Sequence, residues 1–200
     1  VVAFRLGSQD CRGFYAMEMI DGVGPMPWNV RKMIPDAQIR RTLGLELARI
    51  MGRLHRANLE RIRVHDLDPP SDPGETGAAE LRKWRDVYLA CTPPRIPIVD
   101  LAFAWLDHRA DRVSGRVCLV HNDLRVGNVI VRDGRVAALL DWGTADLTGP
   151  AADLAKFNLP TFRGRSSNAS GLIDWDEFLD AYAAVTQWRL DPQTIDYWTV

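Results

Sequence analysis

Few cysteines, no prevailing charge and no long apolar run mark this sequence, and each shortage removes a class of protein. Cys11, Cys91 and Cys118 are odd in number, widely spaced and free of any CxxC pair, so neither a disulfide framework nor a zinc-site spacing is present. A reducing, cytoplasmic setting fits that usage. Lys and Arg are dispersed and the formal net charge is −1, which argues against a general nucleic-acid or membrane surface. The longest apolar runs, LAFAWL at 101–106 and VAALL at 136–140, fall far short of the ~20 residues that span a bilayer. No secretory pattern stands at residue 1, and there is no internal repeat or low-complexity tract. The sequence reads as an ordinary soluble globular protein.

Two hundred residues make about one domain, able to bury about 70% of its unfolded surface. Both ends look cut. The chain opens without Met in an apolar run, and Asp191-Pro192 starts a helix whose stripe, Ile195 and Trp198, has only begun at Val200. A piece of a longer protein is expected. Between the ends, strand comes first and helix dominates afterwards. GFYAMEMI at 13–20 reads as a strand entering the turn DGVGP. From about Asp36, Ile39, Leu43, Leu47, Ile50, Met51 and Leu54 recur at spacings of three and four, one apolar face of a long helix. Residues 66–77 are rich in Pro, Gly and Asp, a surface loop. Leu81, Trp84, Tyr88 and Cys91 mark a second helix, and a third starting near Pro97 carries Leu101, Trp105 and Leu106. Trp84, Tyr88 and Trp105 are expected in the core. Arg40 and Arg41 read as a solvated face, and 163–171 as a flexible loop.

The stretch VHNDLRVGNVIVRDGRVAALLDWG, 120–143, holds the densest polar arrangement. VCLV at 117–120, NVIV at 128–131 and VAALL are short apolar strands, and Asp133-Gly134 is a strong hairpin-turn signal. The polar residues therefore fall at strand ends, and the hairpin brings Asp141 back beside Asn128. Magnesium takes hard oxygen ligands, commonly one or two from protein with phosphate and water completing the set. Asn128 and Asp141 suit that task, and Asp123 is left to accept a proton from an incoming hydroxyl. That division of labour is what phosphoryl transfer needs, because its catalysis is mostly positioning and charge neutralisation. His-x-Asp-x4-Asn followed by Asp-x-Gly is also the kinase arrangement of catalytic loop and metal aspartate. Bland alternatives exist for each residue. His121 reads as loop-shaping, Asp141 has a turn cap as its alternative, and Arg125 is either a solvated loop charge or a cation near the transferred phosphate.

HNDLRVGNVIV, LLDWG and GPAADLA resemble the carboxy-terminal lobe of the aminoglycoside phosphotransferase and choline kinase-like family. ELRKWRDVYLA, LAFAWLDH and GFYAMEMIDG are similar to the branch of kinase-like domains associated with acyl-CoA dehydrogenases. The resemblance implies an α+β, protein-kinase-like fold, mainly the helical C-terminal lobe with a short β-hairpin carrying the site. Residues 1–22 would end the N-terminal lobe and form the hinge, and 23–200 the C-terminal catalytic lobe. The rest of the N-terminal lobe, with its glycine-rich loop and phosphate-anchoring lysine, is then a missing partner from the same protein. Asp123 matches the catalytic aspartate, Asn128 and Asp141 the Mg2+ ligands, and the main chain of Met17, Glu18, Met19 and Ile20 the adenine-binding hinge. Asp153 resembles an aspartate that braces the catalytic loop. Asn122 stands where the family usually has Gly, and Gly143 where this branch often has Glu. The implied activity is transfer of the γ-phosphate of ATP (or GTP) to a hydroxyl of a small molecule. The competing readings are a catalytically idle nucleotide-binding or interaction module of the same fold, and a metal-dependent hydrolase acting through activated water.

Overall fold

A computed structural model describes residues 3–5, 12–61, 67, 70, 72–91, 94–113 and 115–200. In chain order it contains β1 (Ala3–Arg5), β2 (Phe14–Ala16), α1 (Val30–Met33), α2 (Ala37–His55), α3 (Thr76–Cys91) and α4 (Pro97–Asp107). After these come β3 (Cys118–Val120), β4 (Val129–Arg132), β5 (Arg135–Leu139), β6 (Asp146–Thr148), α5 (Ala151–Phe157), α6 (Pro160–Arg163), α7 (Trp175–Thr186) and α8 (Pro192–Thr199). The described strands form three small antiparallel pairs, β1–β2, β3–β6 and β4–β5, set on a helical body.

The body is built on α2. Asp36 starts it by accepting hydrogen bonds from the Gln38 and Ile39 N–H groups at 2.7 and 3.2 Å, satisfying donors that a helix start leaves open. Leu43, Leu47 and Met51, one every fourth residue, are fully buried against Phe178 and Tyr182 of α7. Each such side chain contributes about 1.5–3 kcal/mol of apolar burial. Phe157 of α5 stacks on Phe178 at 4.2 Å and joins α5 to the same core. A smaller cluster of Leu81, Ala110, Val113 and Tyr197 ties α3 to α8.

The site hairpin forms as its turn chemistry dictates. Asp133 and Gly134 both take positive φ, 52° and 72°, as a two-residue primed turn requires, and Val129 pairs with Leu139 at the open end. β6, which pairs Asp146 with Val120, is three residues long, too short to leave a periodic signal.

Several local expectations are corrected. Of the strand expected over 13–20, only Phe14–Ala16 is strand; 17–20 is irregular and mostly exposed. After Ala16 the chain leaves β1, and Val23 exchanges two 2.8 Å backbone hydrogen bonds with Val131 of β4 instead. α3 begins at Thr76, inside the expected loop, behind a tight turn capped by Asp72; much of 66–71 lies outside the described residues. The period of α3 is as expected but its buried face is narrower. Trp84 is 51% exposed and Cys91 is exposed, Tyr88 and Trp105 are half-buried, and Leu101 of α4 is exposed. Arg40 is not simply solvated, because its guanidinium donates to the Ile34 and Pro35 carbonyls at 2.6 and 2.7 Å, and Arg41 pairs with Glu177. Segment 163–171 turns inward at its end, where Ala169 and Ser170 are fully buried. In α8, capped by Asp191 as expected, Ile195 and Tyr197 form the buried face and Trp198 is half-buried. Cys118 is buried and unpaired, and Cys11 lies outside the described residues. Among the described residues no helix is long and apolar enough to cross a membrane.

Candidate active site

β3, wholly buried, delivers the chain to His121 at the floor of the loop 121–128. There three backbone and side-chain donors converge on one carboxylate. Asp153, fully buried on α5, accepts from the His121 N–H at 2.9 Å and the Asn122 N–H at 2.6 Å. Its Oδ2 also accepts from His55 Nε2 at 3.0 Å, and His55 Nδ1 accepts from the Tyr182 hydroxyl at 2.9 Å. A buried carboxylate is tolerable only when its lone pairs are filled in this way. Burial pushes the Tyr182 hydroxyl and the Cys118 thiol well above their ordinary ranges, with the Asp153 charge adding to both. Asp153 therefore braces the loop from beneath, as the resemblance implies.

The loop is pinned at further points. His121 Nε2 donates to the Leu140 carbonyl at 2.9 Å while its Nδ1 accepts from the Asp123 N–H at 3.3 Å, so both ring nitrogens are committed to structure. Trp142 leans on the same ring at 4.5 Å. Val126 is anchored by its N–H to the Ser170 hydroxyl at 2.9 Å, and the Leu124 and Val126 side chains are buried. Rigidity at this level is what holds a reacting group within the small tolerance that catalysis requires.

On this base, four of the residues singled out from the sequence are placed. Asn128 Nδ2 donates to Asp123 twice, to Oδ2 at 2.7 Å and to the carbonyl at 2.9 Å. Asp123 Oδ1 accepts from Arg125 Nε at 3.1 Å. Arg125 thus lies on the Asp123 carboxylate, with its guanidinium 5.1 Å from the Phe162 ring centre. The Leu140 N–H bonds the Asn128 carbonyl at 2.9 Å, which sets Asp141 beside Asn128 across the open end of the hairpin. Asp141 has left-handed backbone angles, φ 63° and ψ 62°, and makes no capping hydrogen bond, so the turn-cap alternative is not its role. The segment Met17, Glu18 and Met19, exposed, and Ile20, half-buried, runs into Gly22 and Val23, which abut β4.

The donor set suits a hard cation. Asn128 spends its amide N–H groups on Asp123, which leaves Oδ1 for another partner, and the Asp141 carboxylate is exposed with no hydrogen bond among the described residues. No three His, Cys, Asp or Glu side chains converge anywhere among the described residues. One amide oxygen and one carboxylate match the few protein ligands that magnesium takes when phosphates and water supply the others. His55, Tyr182 and Ser170 had not been singled out from the sequence. His55 carried one faint signal: it extends the buried row Leu43, Leu47, Met51 by one more step of four, a polar residue on an apolar stripe.

The architecture is that of the kinase-like phosphotransferases. It superposes on a presumed aminoglycoside phosphotransferase of Ralstonia eutropha with a TM-score of 0.72, at 22% identity, over 94% of this chain and 60% of that one. For an aminoglycoside phosphotransferase of Streptomyces rimosus, solved with ADP and streptomycin, the TM-score is 0.58 at 18% identity, covering 100% of this chain and 72% of that chain. The phosphotransferase enzyme family model matches residues 1–192, and the chain belongs to that family. Among curated proteins, acyl-CoA dehydrogenase family member 11 of Homo sapiens is 23% identical over 184 residues, 84% of this chain. The chain spans only 22% of that relative's length.

Proposed function

We propose that this chain is the catalytic lobe of a small-molecule kinase that moves the γ-phosphoryl group of ATP (or GTP) to a hydroxyl. The observation that carries the reading is the split use of Asn128: its N–H groups hold Asp123 at 2.7 and 2.9 Å, and its Oδ1 stays available, while the Leu140 N–H bonds its main-chain carbonyl one residue before Asp141. One amide thereby couples a base to a cation site. In this reading Asp123 orients the acceptor hydroxyl and takes its proton. Arg125 fixes the carboxylate's rotamer and adds positive charge next to the transferred group. Asn128 and Asp141 would hold Mg2+, which when bound neutralises charge on the nucleotide phosphates. The main chain of Met17 to Ile20, tethered to the same hairpin through Val23 and Val131, is the proposed adenine contact. The S. rimosus relative's complex with ADP and streptomycin supports a nucleotide and a hydroxyl-bearing small molecule as the ligand pair. The acceptor itself, and the remainder of the cleft from an N-terminal lobe, belong to the same proposal.

The test separates base from cation site in the full-length protein. Asp123→Asn should lower turnover by about 10²- to 10⁴-fold with MgATP affinity retained. Asp141→Ala should weaken MgATP binding itself, read by calorimetry. Parental turnover in Asp123→Asn removes Asp123 from the mechanism and favours an idle binding module; unchanged affinity in Asp141→Ala places the cation elsewhere.

A further inference from the structure

Asn122 occupies a backbone conformation that most residues avoid, with φ 64°, and it immediately precedes Asp123. Asn tolerates this region better than other non-glycine residues, though at a cost that the surroundings must cover. Two groups do so, both from α5. Asp153 takes the Asn122 N–H at 2.6 Å, and Lys156, three residues on and on the same helix face, donates its ammonium to the Asn122 side-chain Oδ1. One helix therefore grips this residue by its backbone and by its side chain. Lys156 is half-buried, and among the described residues its ammonium forms no ion pair. Burial lowers its pKa, opposed chiefly by the Asp153 charge and then by Glu80 and Asp123. A half-buried cation spent on a neutral amide is a costly arrangement for stability alone. Its location, one residue from the base, gives it another use.

We propose that Lys156 is a positioning residue for Asp123: its bond to Asn122 holds the left-handed turn that aims the base. The proposal rests on the phosphotransfer reading for its consequence in catalysis, but the latch itself is independent of it. A glycine in place of Asn122 adopts the same backbone without help, so the latch matters only while Asn stands there. Lys156 and Asn122 should therefore be coupled in a particular direction.

The experiment is a double-mutant cycle in the full-length protein with K156M and N122G, read in two ways. Amide hydrogen exchange follows residues 121–123. Slow hydrolysis of MgATP, water standing in for the acceptor, gives kcat and KM. In the parental background K156M should speed exchange of the Asn122 and Asp123 amides about tenfold. It should lower kcat by a similar factor at unchanged KM for MgATP, the scale of one hydrogen bond to a charged group. In the N122G background the same substitution should change both by less than about twofold. Equal effects of K156M in both backgrounds overturn the latch, as does unaltered exchange in K156M. A uniform rise in exchange across the whole protein also overturns it, by reducing Lys156 to a general stability role. Background-dependent exchange without any ATP turnover in the parent upholds the latch and counts instead against the phosphotransfer reading.

Discussion

Removing the Asp153 carboxylate should be the most damaging single change beneath the candidate site, and its size follows from the bonds it makes. Oδ2 accepts from the His121 N–H at 2.9 Å and His55 Nε2 at 3.0 Å, and Oδ1 accepts from the Asn122 N–H at 2.6 Å. The Asp153 and His55 side chains are both 0% exposed. Asp153→Ala leaves those three donors in a place where water does not reach them. Each orphaned donor costs about 1–3 kcal/mol, and hydrogen bonds to a charged group lie at the upper end of that range. These costs overlap, so we expect about 3–5 kcal/mol in total, a large share of the ~5–15 kcal/mol that holds a domain together. Asp153→Asn can keep its carbonyl oxygen at the Oδ2 position and serve two donors, but its NH2 then faces the Asn122 N–H, donor against donor, for about 1–3 kcal/mol. Tyr182→Phe removes the single 2.9 Å bond to His55 Nδ1, worth about 0.5–1.5 kcal/mol. Urea unfolding by linear extrapolation measures all three, provided the slopes agree. The expected order is Asp153→Ala, then Asp153→Asn, then Tyr182→Phe. A stability for Asp153→Ala within about 0.5 kcal/mol of the parent, the range of an ordinary surface change, would refute the reasoning.

Two further outcomes follow from the same structure. At Gly22, with φ 151°, a Cβ would lie 2.5 Å from Ile130 Cγ2 and 2.6 Å from the Val131 carbonyl oxygen. Gly22→Ala should break the Val23–Val131 pairing, cost about 1–3 kcal/mol and weaken MgATP binding; parental stability and affinity together would show that the contact is dispensable. At alkaline pH the fold should weaken. Burial raises the Cys118 thiol from its ordinary 9.0 and the Tyr182 hydroxyl from 10.0, and pushes Tyr197 up to about 12. The folded state thus keeps protons that the unfolded chain releases, so stability is retained below pH 9 and falls as pH rises beyond it. Tyrosinate absorbance and circular dichroism recorded together check this, and full tyrosine ionisation ahead of the loss of structure would contradict it.

Read along the chain alone, the residues settle what is local. Asp123 and Asn128 are five residues apart within one tight loop, and the Asp133-Gly134 pair imposes a two-residue turn that returns Asp141 to Asn128, so short-range geometry alone sets their neighbourhood. The start of α2 at Asp36 and of α8 at Asp191 were readable for the same reason, since a cap acts within three residues. The brace beneath the loop was a different matter. His55 and Asp153 are 98 residues apart, His55 and Tyr182 127, and Val126 and Ser170 44. A single polar residue on an apolar stripe carries no signal of its distant partner. Asp153 is marked only by a family resemblance, His55 only by its place on an apolar stripe, and Tyr182 and Ser170 by nothing along the chain. The same holds for the exposed face of α3, where the period marks a helix but only the presence of Ala110, Val113 and Tyr197 against Leu81 decides which side is covered. These points wait on the folded chain because a buried donor must find an acceptor wherever packing brings one. That pairing is settled by burial in three dimensions and leaves no spacing to read along the chain.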